Sequence, residues 1–140
     1  MSKGHSASDV RVLIVDDNER WRRWVNSELG QQQLQVVGEA SDGLEAVRKA
    51  HELKPDVILL DIGLPNLNGL EVASRARQST PDSKIVFLTA QNDPDLVKQA
   101  FSNGATGYVL KVDAKSELLA AIAAAVQGRR FVSRRLAKES

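Results

Sequence analysis

Residues 10–17 read Val10-Arg11-Val12-Leu13-Ile14-Val15-Asp16-Asp17, and residues 57–61 read Val57-Ile58-Leu59-Leu60-Asp61. Each is a short apolar run that ends abruptly in acid. A strand with one face in water alternates apolar and polar residues, because successive side chains point to opposite faces. A run without that alternation is the pattern of a strand covered on both faces, as parallel strands are when they lie between layers of helix. Ile85-Val86-Phe87-Leu88 is a third run of the same kind.

Working outward, segments 34–39 and 107–110 add two further strand candidates to Val10–Val15, Asp56–Leu60 and Lys84–Leu88. Stretches of helical length separate them, each with its own punctuation. In the first, Trp21, Trp24, Val25 and Leu29 form one apolar stripe while Arg20, Arg22 and Arg23 take the other face. Asp42-Gly43 opens the second helix and Lys54-Pro55 stops it; Asn68-Gly69 precedes the third and Thr80-Pro81 ends it. Asp93-Pro94 places a capping residue and a first-turn proline at the start of the fourth, which Asn103-Gly104 closes. The alanine-rich segment 115–127 supplies the fifth. This alternation predicts an α/β fold: a doubly wound, five-stranded parallel sheet of flavodoxin-like order 2-1-3-4-5 with helices on both faces.

The 140 residues are 42% hydrophobic and 26% charged and contain no cysteine, enough to bury one core without disulfides. With 19 basic against 18 acidic side chains, no net field draws the chain to nucleic acid or to an anionic membrane. No apolar run approaches the roughly 20 residues that cross a bilayer, and no secretory signal opens the sequence, so a cytoplasmic location is expected. Residues 1–9 are read as a flexible tail, 10–127 as the single domain and 128–140 as a basic tail or linker. Arg129, Arg130, Arg134, Arg135 and Lys138 in that last segment suit the end of the fifth helix, whose dipole favours cations there. No recognition-helix pattern follows, and direct nucleic-acid binding by this chain is not expected.

In the predicted topology strands 1 and 3 are neighbours whose connections leave to opposite faces, which opens a crevice at their carboxyl ends. Asp16-Asp17 and Asp61 occupy those ends. Carboxylates brought this close repel, so the cluster calls for a proton, a basic partner or a hard divalent cation such as Mg²⁺. Asp17 or Asn18 can equally cap the first helix. Asp61 has no helix to cap, because Ile62-Gly63-Leu64-Pro65 follow it and no helix begins there, so its alternative reading is a plain loop aspartate. Strands 4 and 5 end in Thr89-Ala90 and Lys111, a hydroxyl and an ammonium able to pair with a phosphoryl oxygen.

Asp16-Asp17, Asp61 with Pro65 and Gly69, Thr89-Ala90 and Lys111 together resemble the signature of response-regulator receiver domains of two-component signalling, over roughly residues 10–127. The resemblance implies that Asp61 accepts a phosphoryl group from a sensor histidine kinase or phosphotransfer protein. It implies that Asp17, Asp61 and the backbone carbonyl of Gly63 bind Mg²⁺, with Asp16 acting through water, and that Thr89 and Lys111 hold the phosphoryl oxygens. It also implies a switch in which Thr89 moves, Tyr108 turns inward, and the face of the fourth helix, fifth strand and fifth helix is reshaped, with homodimerisation on phosphorylation as a further possibility. Without that resemblance Tyr108 reads as a partly buried strand aromatic with its hydroxyl at the surface.

Val112 follows Lys111 where the family most often has a cis proline; a non-proline cis bond costs about 2.5–4 kcal/mol, so the sequence leaves open whether this peptide is trans and the loop differently set. Receivers that precede a LuxR-type helix-turn-helix output domain often lack that proline too, and segment 128–140 is similar to the stretch leading into such a domain. The chain is therefore read as a stand-alone receiver or as the receiver part of a longer DNA-binding transcriptional regulator, its output lying elsewhere. An aspartate-nucleophile Mg²⁺ phosphatase would need a second acid two residues after Asp61, where Gly63 stands, so turnover beyond self-phosphorylation from small donors and slow self-dephosphorylation is not expected. A flavin-binding module would need a phosphate loop where Asp16-Asp17 would repel it. His5 and His51 are not placed as phosphorelay residues.

Overall fold

The computed structural model describes residues 10–137. The expected N-terminal tail, residues 1–9 with His5, lies outside the described residues, as does Lys138. Elements follow in the order β1 (Arg11–Val15), α1 (Glu19–Gln31), β2 (Gln35–Ala40), α2 (Gly43–Leu53), β3 (Val57–Leu60), α3 (Gly69–Ser79), β4 (Lys84–Thr89), α4 (Pro94–Ser102), β5 (Gly107–Leu110), a 3-10 turn (Lys111–Asp113), α5 (Ala114–Val126), β6 (Phe131–Val132) and α6 (Arg134–Ala137). All strands run parallel in the order β2-β1-β3-β4-β5-β6. No described helix is long and apolar enough to cross a membrane.

The unbroken apolar runs feed two cores. Leu13, Val15, Ile58, Leu60, Ile85 and Phe87 point to the side covered by α2, α3 and α4. Their alternates Val12, Ile14, Val57, Leu59, Val86 and Leu88 point to the side of α1 and α5. Neither face of the central strands meets water, which is why both sets of positions are apolar. Helix starts follow the local signals: the side chains of Asn18, Asp42, Asn68 and Asp93 accept the amides of Trp21, Glu45, Glu71 and Asp95. Asn18 is thus the cap of α1, which leaves the Asp17 carboxylate for other work.

The sheet departs from the expected five strands at its C-terminal edge. Gly128, in the left-handed region at φ 73°, turns the chain back after α5, a conformation that costs glycine little. Phe131 and Val132 then pair with Gly107 and Tyr108 as β6. Leu136 is buried in the α2–α4 core, the Arg130 guanidinium lies 3.7 Å from the Phe101 ring centroid, and Arg135 forks onto Asp113 at 3.0 and 3.2 Å. Residues 128–137, expected as a basic tail or linker, are therefore a strap over α4, β5 and α5. Three apolar residues spaced among arginines give no periodic signal, and only the open edge of β5 turns Phe131-Val132 into a strand.

Candidate functional site

Register sets the site. Val15 pairs with Leu60, so Asp16 and Asp61 leave the sheet side by side, and the Asp61 amide donates to the Val15 carbonyl at 3.1 Å. Thr89 pairs with Leu110, which puts Lys111 one step beyond it on the neighbouring strand. Asp16, Asp61 and Thr89 are buried at 4%, 8% and 1% exposure, while Asp17 is exposed.

Carboxylate oxygens of Asp16, Asp17 and Asp61 all lie within 4.8 Å of one another. Like charges at that distance repel by about 3.5 kcal/mol per pair at an effective dielectric near 20. Lys111 offsets part of this: its Nζ donates to Asp16 Oδ2 at 2.8 Å and to Asp61 Oδ2 at 3.1 Å. One ammonium against three carboxylates leaves a net double negative charge. Burial raises the Asp16 pKa, and the nearby Asp61 charge adds to this, while the Lys111 bond and the Asn18 amide, which donates to Oδ1 at 2.9 Å, oppose it. For Lys111, burial works against the charged form, but the hydrogen bonds and charges of Asp16 and Asp61 prevail and raise its pKa. An all-oxygen donor set of one exposed and two buried carboxylates, with uncompensated negative charge, fits a hard divalent cation such as Mg²⁺.

Each remaining expected residue has a definite place. Asp61 Oδ1 accepts the Ile62 amide at 2.7 Å, so the two oxygens of this carboxylate face different partners. Gly63 is exposed in the loop two residues further on. Gly69 packs so tightly that a Cβ there would stand 2.1 Å from the Asp61 carbonyl oxygen, which ties the start of α3 to the backbone of Asp61. Thr89 Oγ1 accepts the Gln91 amide at 3.3 Å. Tyr108 is fully buried, tilted against Phe87 with ring centroids 5.9 Å apart, and its hydroxyl donates to the Gln91 carbonyl at 2.7 Å. Burial first, then the Asp61 and Asp93 charges, push its pKa upward, so the phenol keeps its proton. The Gln91 backbone thereby joins Thr89 to Tyr108. No cis peptide occurs among the described residues; Lys111-Val112 is trans and opens the 3-10 turn, with Val112 exposed.

Three contributors escaped the sequence reading. Arg22, assigned there to the outer face of α1, donates from Nη1 to the Asp16 carbonyl at 2.7 Å and from Nε to Glu39 Oε1 at 2.9 Å. Trp21, assigned to the apolar stripe, has its ring over the Lys111 ammonium at 5.0 Å. Ser133 Oγ accepts the Leu110 amide at 2.9 Å and donates to Glu117 Oε1 at 2.6 Å. All three act across separations of more than a dozen residues or on a backbone group, and local spacing carries no trace of either.

Residues 12–123 match the model of the response regulator receiver domain. The response regulator GacA of Pseudomonas viridiflava is 37% identical over 131 residues, covering 93% of this chain and 61% of the relative. The chain thus spans about three fifths of the length of that curated relative. A solved two-component response regulator of the LuxR family from an Aurantimonas species superposes with a TM-score of 0.88 at 34% identity, covering 92% of this chain and 93% of that one. The isolated REC domain of RcsB from Salmonella enterica serovar Typhimurium, solved with the phosphomimetic BeF3⁻, superposes at 0.85 with 25% identity, covering 92% and 96%. Acid at the ends of β1 and β3, a hydroxyl after β4 and a lysine after β5 on this topology agree with those matches, and the chain belongs to the response regulator receiver-domain family of two-component signalling.

Proposed function

We propose that Asp61 is the phospho-acceptor of this receiver. The observation that carries the reading is the convergence of Asp16, Asp17 and Asp61 around Lys111, whose ammonium bridges Asp16 and Asp61. An Asp61 carboxylate oxygen attacks the donor phosphorus; the bond from phosphorus to the donor's imidazole nitrogen, or to a small donor's acyl oxygen, breaks and takes its electron pair with the leaving group. The product is an acyl phosphate. Asp16, Asp17 and Asp61, with the Gly63 carbonyl, would hold Mg²⁺, and Mg²⁺ supplies offset for the negative charge that nucleophile and phosphoryl oxygens bring together. Lys111, released from the charge of Asp61 once that carboxylate is phosphorylated, turns its N–H groups to the phosphoryl oxygens, and the Thr89 hydroxyl donates there as well.

The chemistry changes net charge by only about one unit, so the signal is local. A Thr89 hydroxyl drawn to the phosphoryl group pulls on the Gln91 amide it now accepts, and Gln91 holds the Tyr108 hydroxyl. That connection supports Thr89 and Tyr108 as the switch, with the face of α4, β5 and α5 as readout. The chain acts in the cytoplasm, its donor is a sensor histidine kinase or phosphotransfer protein, the readout includes homodimerisation, and the chain turns over no exogenous substrate. Likeness to LuxR-family regulators, and a length about three fifths that of the GacA relative, support a second reading as the receiver part of a longer transcriptional regulator.

Incubation with acetyl phosphate and Mg²⁺ followed by intact-mass measurement tests the assignment. The wild type should gain one phosphoryl mass and Asp61→Asn none; no gain on the wild type, or an undiminished gain on the variant, removes the claim.

A further inference from the structure

Lys111 is a long, flexible cation on which the phosphoryl reaction depends, yet its side chain is only 14% exposed. Its ammonium carries three hydrogens and bonds Asp16 and Asp61 at 2.8 and 3.1 Å. The same ammonium lies over the Trp21 ring, with the centroid 5.0 Å from Nζ, inside the range over which an aromatic face attracts a cation. The ring is held in turn: Trp24 meets it edge-on, centroids 5.4 Å apart and planes at 80°. Trp21 also lines, with Asp16, Ile14, Val25, Leu59 and Leu88, a small cavity of about 10 Å³, about the volume that one water needs.

We propose that Trp21 is a positioning residue for Lys111, a wall that keeps the ammonium over the site and closes its path to solvent. The inference rests on the reading of Asp61 as phospho-acceptor and adds a residue that the acid, hydroxyl and lysine set does not contain. A free lysine side chain populates many rotamers, and fixing it costs conformational entropy. A wall of aromatic carbon removes the solvent-directed rotamers beforehand. It also lets the ammonium slide the short way from Asp61 Oδ2 toward a newly arrived phosphoryl oxygen, because attraction to a ring face is less directional than a hydrogen bond. Trp21 touches neither donor nor phosphoryl group; it acts through Lys111.

Two substitutions separate the aromatic face from simple bulk. Trp21→Phe keeps a ring over Nζ, whereas Trp21→Leu keeps apolar volume without one. With acetyl phosphate and Mg²⁺, Trp21→Leu should be phosphorylated about three- to tenfold more slowly than wild type and Trp21→Phe within about twofold, with similar thermal midpoints for the two variants. Independently of any reaction, the Lys111 ε-methylene protons should appear upfield in ¹H–¹³C spectra of the wild type, assigned through Lys111→Arg, stay upfield in Trp21→Phe, and return to the ordinary lysine position in Trp21→Leu. Equal rates in all three proteins, an equal loss in both variants, or unshifted Lys111 protons in the wild type would overturn the role. A wild type that takes no phosphoryl group while its Lys111 protons are shifted would instead overturn the reading of Asp61, so the two failures are distinct.

Discussion

Replacing Ser133 by alanine should destabilise the domain by about 2–4 kcal/mol, although the residue lies in a segment whose sequence looks like a solvated tail. Ser133 is fully buried. Its Oγ accepts the amide of Leu110 and donates to Glu117 Oε1, and its own amide donates to the Tyr108 carbonyl at 2.9 Å. Removing the oxygen leaves the buried Leu110 N–H without an acceptor, at a cost of about 1–3 kcal/mol, and deletes a hydroxyl-to-carboxylate bond of about 1.5–3 kcal/mol. The second loss is reduced because Glu117 is partly exposed and regains water. In a domain of this size about 3 kcal/mol lowers the thermal midpoint by about 10 °C. Urea unfolding followed by circular dichroism is the assay, with an unchanged slope marking a true stability change. A Glu117→Ala partner variant should show the coupling, the double substitution costing less than the two single ones together. A Ser133→Ala protein within about 0.5 kcal/mol of wild type, the range for a solvated surface position, would refute the docked strap.

Mg²⁺ at tenfold over its half-saturating concentration should add about 1.4 kcal/mol of stability, read as a rise of about 5 °C in thermal midpoint, and Asp17→Asn should abolish it; equal shifts in both proteins would exclude the acidic cluster as the metal site. Gly69→Ala should lose about 1–3 kcal/mol and also lower the phosphoryl yield, because its Cβ would press on the Asp61 backbone, whereas Gly30→Ala, with nothing within 4 Å of the added carbon, should be neutral or stabilising in urea unfolding. Tyr108 is the sole tyrosine, so phenolate absorbance reports on it alone. Its folded pKa lies above the ordinary 10.0, so the native state keeps a proton that the unfolded chain releases. The resulting stability is complete below pH 10.0 and declines as pH rises from there toward the folded value. Phenolate appearing in the folded protein near its ordinary pKa would contradict the burial of that hydroxyl.

Local signals were sufficient for most of the frame. Asn18, Asp42, Asn68 and Asp93 cap their helices because a short polar side chain bonds an amide two or three residues on, an interaction that needs no distant partner. Asp16, Asp17 and Asp61 were legible as a cluster because topology sends the ends of the first and third strands to one crevice, whatever the helices look like. Tyr108 was legible as a strand residue, but its full burial comes from α4 and the strap closing over β5.

What the chain dictates by itself, then, is the alternation of doubly apolar strands and capped helices, the strand order that follows from it, and the acids, hydroxyl and lysine at the strand ends. Tertiary structure alone decided that Phe131-Val132 would become a sixth strand, that Arg22 would reach the Asp16 carbonyl, and that Trp21 would face Lys111 rather than only the core. The division has one physical cause. Periodicity and capping are set by contacts within a few residues, whereas an unpaired sheet edge, a carbonyl at a strand end and the open side of a lysine become binding partners only after folding has placed them.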